Sequence, residues 1–167
     1  MSALDMKKLS TVDRTVAAAG AIALVSLFLP WYGASSALYS ASVSGFGTSY
    51  GWLGALLVAA AAAYLVLVRS GAKLPPLPFG PGVVVLGASL LGTVIVGFRW
   101  LTLPRGSGGV GGVTDFSYGP RVGIIDAVVA GIVQLVCAFR LFRSSGEAVP
   151  WAAKPGAPDP RRPPQAS

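Results

Sequence analysis

The chain has 167 residues, 53% of them hydrophobic and 11% charged, with a mean hydropathy of +0.67. That is too apolar for an ordinary soluble domain and makes the bilayer the expected solvent. A formal charge of +7 would suit nucleic acid, but the Lys and Arg residues are scattered between apolar runs instead of gathered on one face, so no nucleic-acid partner is expected. One cysteine and no histidine exclude an internal disulfide and leave little from which to build a zinc or haem site.

No charged residue occurs between Arg14 and Arg69, nor in the 25 residues between Lys73 and Arg99. A span needs roughly 20 apolar residues, so the first gap holds two helices and a loop and the second holds one. Residues 1–14 form a polar, basic cytoplasmic segment in which Ser10 and Asp13 match the S-x-x-D helix start. The first span is expected over residues 15–32, ending on the interfacial residues Pro30, Trp31 and Tyr32. Lys7, Lys8 and Arg14 before an apolar core, with Ala34 to Ala37 after it, also fit a cleaved signal peptide, and both readings stay open.

Residues 33–50, uncharged and rich in Ser and Gly, are expected to be an outer loop. The second span covers 51–69, where Gly51, Ala55, Ala59 and Ala63 make a small-residue stripe suited to close helix approach. A proline-broken connection follows, with a PxxP from Pro75 to Pro78 that serves either as a stiff turn or as a docking segment. The third span covers 81–102, opened by Pro81 and closed by Arg99 and Trp100. Residues 103–119 read as a glycine-rich second outer loop, and the fourth span covers 120–140. The tail, 143–167, has six prolines from position 150 on with Lys154, Arg161 and Arg162, and is expected to be disordered and cytoplasmic.

The fold class expected is therefore an all-α membrane protein, four transmembrane helices arranged as two antiparallel hairpins within residues 15–142. With the amino terminus inside, ten Lys and Arg lie on the inner side and three, Arg99, Arg105 and Arg121, on the outer. That bias places both termini in the cytoplasm and the protein in the cell membrane. The two halves also echo each other: LPWYG leads to Ser49, Tyr50, Gly51 and a helix, and LPRG to Ser117, Tyr118, Gly119 and a helix. Either a duplication about an axis along the membrane normal or shared interfacial chemistry would produce this pattern.

Asp126 is the one acid well inside an expected span, and intramembrane ionisable groups are functional candidates. At about 100° per residue, Gly123, Asp126, Ala127, Ala130, Gln134 and Cys137 share a face that should point into the bundle. Arg99, a turn below the outer boundary of the third span, is within reach as partner, and an Arg99–Asp126 pair would either clasp two helices or serve proton or cation exchange. No nucleophile–base constellation is present, so no catalytic residue, cofactor or enzyme activity is expected.

The segments LSTVDR, SLFLPWYG, SGFGTSYGWLGALL and RWLTLP resemble a group of small four-span membrane proteins of high-GC Gram-positive bacteria, across residues 9–143. The resemblance implies topology and supplies no catalytic residues. Claudin-like proteins share that topology but carry an outer-loop cysteine pair that is missing here. The function expected is that of a non-enzymatic accessory or scaffold subunit that contacts the lipid bilayer and another membrane protein or itself, and the alternative is a small transporter or channel using Arg99 and Asp126.

Overall fold

The computed structural model describes residues 9–36, 38–72, 75, 79–108 and 116–147. Of the expected tail, 143–167, the residues from 148 on lie outside the described residues, as do the amino-terminal eight residues, Pro76 to Pro78 of the PxxP and the centre of the expected second outer loop; Arg143 to Ser145 instead continue the last helix, Val122–Ser145, past its expected end at 140. The elements run in the order α1 (Thr11–Ser26), β1 (Pro30–Ser36), β2 (Ser40–Ser44), α2 (Gly51–Arg69), α3 (Pro81–Thr102), β3 (Gly106–Gly108), β4 (Phe116–Pro120) and α4 (Val122–Ser145), with a 3₁₀ turn at Gly45–Gly47.

Each helix packs on its chain neighbours, and α1 closes the ring against α4. The strands lie within the α1–α2 and α3–α4 connections and form one antiparallel sheet, in the order β2-β1-β4-β3. The all-α expectation is thus corrected. The chain is mostly helical with a small sheet, because the α1–α2 and α3–α4 connections, expected as loops, pair with each other: Tyr32 stands opposite Pro120 and Ser36 opposite Phe116.

Three helices, α2, α3 and α4, are long and apolar enough to cross a membrane. At 1.5 Å per residue they reach about 28, 33 and 36 Å, against a hydrocarbon core of about 30 Å. Their large apolar side chains face outward, among them Leu53, Leu90, Val94, Phe98, Ile125, Val129 and Ile132. The interior is lined instead by small residues, which is how helices approach closely when lipid supplies no hydrophobic drive between them. A Cβ on Gly54 would lie 2.7 Å from the Gly92 carbonyl oxygen, and one on Gly20 would collide with Ala62.

The first expected span differs. Its helix has 16 residues and starts earlier, at Thr11, because Ser10 and Asp13 form the reciprocal capping box. It stops at Ser26, short of the expected residue 32. Leu29 precedes Pro30 and is steered out of the helical region. The last turn tightens through i to i−3 bonds, and the Ser26 carbonyl, which accepts the last of them from the Leu29 N–H, also accepts from the Trp31 indole Nε1 at 2.7 Å. Trp31 and the residues after it therefore form a strand instead of a helix end.

The four-residue stripe on α2 is buried at Gly51 and Ala55 but rotates outward to an exposed Ala63, since a repeat of four drifts against 3.6 residues per turn. The repeat motifs also part company. Ser49, Tyr50 and Gly51 lead straight into α2, whereas Ser117, Tyr118 and Gly119 lie within β4. In the sheet the hairpins follow one another in the same sense, so they are related by a shift and not by a two-fold rotation.

Trp31 is fully buried at the junction of bundle and sheet. Glycines from three elements make room for it: a Cβ on Gly45, Gly51 or Gly123 would fall 2.7 to 2.9 Å from its ring. Trp31→Ala is expected to cost about 3–5 kcal/mol, the range for deleting a core aromatic, read as lost thermal stability in mild detergent. Gly123→Val is expected to be comparably damaging, and unchanged melting in either variant would refute this packing role.

Candidate functional site

The polar groups enclosed by the bundle lie at three levels. At its centre Gln134 on α4 is fully buried, and its Nε2 donates to the Val58 carbonyl on α2 at 2.7 Å and to Ser89 Oγ on α3 at 3.0 Å. Its Oε1 has no hydrogen-bond donor and faces Gly20 of α1, where a Cβ would stand 3.5 Å away. One side chain thus reaches all three other helices. Beside it Thr93 bonds the Ser89 carbonyl within α3 and packs in the notch left by Gly131.

Gly123, Ala127, Ala130 and Gln134, the set read as bundle-facing, are all buried on α4, while Ile125, Val129, Ile132 and Val136 on the opposite side are exposed. Cys137 is partly buried against the inner core cluster of Val16, Leu65 and Val85.

At the sheet end of the bundle Arg99 and Asp126 do not pair. Arg99 Nε donates to the Thr48 carbonyl at 3.0 Å, its guanidinium stacks 5.8 Å from the Tyr50 ring centre, and its stem lies over Gly51. All three contacts are on the α2 side, and they turn the side chain away from α4. Asp126 is half-buried and takes part in no hydrogen bond or ion pair among the described residues. The other two arginines at this end also find neutral partners: Arg105 bonds the Trp100 carbonyl and covers its ring, and Arg121 bonds Ser35 Oγ, which meets Ser117 Oγ across the central strands.

At the end away from the sheet two carboxylates join helices: Asp13, read from the sequence only as part of a helix start, and Glu147, which sequence reasoning passed over. Asp13 is buried and lies 3.5 Å from Arg69 Nε, linking α1 to the end of α2. Glu147, just past the left-handed Gly146 that ends α4, accepts from the backbone N–H groups of Gly82 and Val83 at 3.2 and 3.1 Å. It thereby satisfies free donors at the α3 N-terminus and places negative charge at the positive end of the helix dipole. Glu147 could have been singled out as a lone acid just past an apolar run, and the link of Asp13 to Arg69 as a lone acid and a cation that bound the same uncharged stretch.

Among the described residues no group of three or more His, Cys, Asp or Glu could hold a metal ion. The chain matches no family model, no curated relative and no solved structure.

Two series check these roles. Gln134→Leu keeps the volume and loses two interhelical bonds, and is expected to cost on the order of 1 kcal/mol. Gln134→Ala also opens a void and is expected to cost about 2–4 kcal/mol, so equal melting temperatures would refute the central packing role. Glu147→Gln, which removes the charge from the helix start, is expected to cost about 0.3–1 kcal/mol in low salt and less in high salt, measured by melting across a salt series.

Proposed function

We propose that the chain is a four-span, non-enzymatic accessory or scaffold subunit of the cell membrane, with both termini in the cytoplasm. One observation carries this reading: the enclosed polar side chains are used to join helices. Asp13 binds the end of α2, Arg99 the loop entering α2, Gln134 binds α2 and α3, and Glu147 binds the start of α3. A bundle fixed in this way offers its outward surfaces to lipid and to partners.

For the fourth span, α1 supplies the support. Ile22, Leu24, Val25 and Phe28 are exposed beside the apolar faces of α2 and α4, and the chain continues apolar to Pro30. Exposure of that kind suits acyl chains. The excess of Lys and Arg on the inner segments supports the orientation. The likeness to small four-span proteins of high-GC Gram-positive bacteria belongs to the same reading.

Asp126 favours a second reading, a small transporter or channel, because it is a half-buried acid on an apolar helix with no partner among the described residues, and acids within membrane spans often mark ion or proton paths. Liposome flux decides it. Transport lost in Asp126→Asn at unchanged folded yield would establish this reading, and an inert wild-type protein would remove it.

For the leading reading, copurification in mild detergent is expected to return the chain in an assembly, and monomer alone would count against it. Orientation is checked in a Cys137→Ala background. Ser107→Cys is expected to react with an impermeant maleimide on intact cells, and Ser144→Cys only after lysis.

A further inference from the structure

β2 is one end of the sheet, and its residues Ser40 to Val43 are exposed. An open edge of this kind is a template for another strand, and proteins guard against pairing with charges, prolines, bulges or very short strands. The opposite edge, β3, has three residues. β2 has five, with no charge and no proline, and the irregularity in its ladder lies between Pro30 and Tyr32 of β1.

We propose that two copies of this chain join through their β2 strands into one continuous antiparallel sheet. The proposal rests on reading the chain as an interaction subunit and names its partner. The sequence of the edge selects a second copy. Ser40, Ala41, Ser42, Val43 and Ser44 read almost alike in both directions about Ser42. A two-fold interface requires such self-complementarity, because the same patch meets itself. Antiparallel pairing centred on Ser42 sets Ser42 against Ser42, Ala41 against Val43 and Ser40 against Ser44. The absence of charge from residue 15 to residue 68 leaves nothing on this hairpin to repel its own image.

The same pairing accounts for a second observation. Just past the strand, it brings Tyr39 and Leu38 of one copy towards the 3₁₀ turn of the other. Leu38 is 90% exposed and Tyr39 71% exposed at the hairpin tip. Phe46, on that turn, is exposed too, and stands edge-to-face with Phe28 at a ring separation of 5.4 Å. Pairing therefore lays the apolar tip of each copy beside Phe46 of the other, twice in each dimer, and covers these exposed apolar groups.

The test is cysteine cross-linking of the full chain in native membranes, in the Cys137→Ala background. Residues directly opposite in an antiparallel pair have Cα atoms about 4.5–5.5 Å apart, within disulfide range. Ser42→Cys is expected to form a linked species of twice the chain mass under mild oxidation, while Ser107→Cys on the other edge stays monomeric. Val43→Lys in the Ser42→Cys chain is expected to lower the linked fraction by about tenfold. Three results would overturn the proposal: no linked species from a Ser42→Cys chain that elutes like wild type, equal linking from Ser107→Cys, or linkage to a species of another mass. A chain that fails to link yet still copurifies a different membrane protein overturns the β2 pairing and leaves the accessory reading standing.

Discussion

The burial of one indole fixes the sheet end of the molecule. Trp31 ends α1 by bonding the Ser26 carbonyl, and its own carbonyl accepts from the Arg121 backbone N–H at the start of α4. Its ring occupies the space left by Gly45, Gly51 and Gly123, which come from the turn after β2 and the first turns of α2 and α4. A single residue of β1 is thereby in register with two helix starts and one helix end. The sheet inherits its position from this contact, since β1 is one of its two central strands and pairs with β4 directly beside Arg121.

How much of this could be read from the sequence follows from which signals are local. α2 and α3 occupy residues 51–69 and 81–102, the ranges read for spans two and three, because unbroken apolar runs are bounded there by Gly51, Arg69, Pro81 and Thr102. The sheet left no such trace. Its strands are built from Ser, Ala, Gly and Tyr with little alternation of apolar and polar residues, and its central pairing joins Tyr32 to Pro120 across most of the chain. The end of α1 misled for a related reason: Pro30, Trp31 and Tyr32 have the composition of an interfacial helix end, and only the glycines brought up from elsewhere make Trp31 a core residue.

The candidate site divides along the same line. The small and polar face of α4 follows from helical periodicity alone, and Gly123, Ala127, Ala130 and Gln134 are buried together. The partner of Arg99 does not follow from it. Periodicity can set Arg99 and Asp126 at comparable heights on neighbouring helices, but α3 also borders α2, and the loop entering α2 presents the Thr48 carbonyl and the Tyr50 ring. The position of that carbonyl depends on the 3₁₀ turn and on Trp31 beneath it, neither of which is visible one helix at a time.

The two ends of the bundle are closed by different interactions. At the end away from the sheet two acids, Asp13 and Glu147, join helices. At the sheet end Asp126 makes no bond among the described residues, and Arg99, Arg105 and Arg121 are held by what the backbone, a hydroxyl and the rings offer: the Thr48 and Trp100 carbonyls, Ser35 Oγ, and the faces of Tyr50 and Trp100. Carbonyls and aromatic rings hold a guanidinium by geometry more than by charge. The end joined by acids is accordingly open to salt and to charge substitution, whereas the sheet end depends on the shape of the sheet and of the turn beside it.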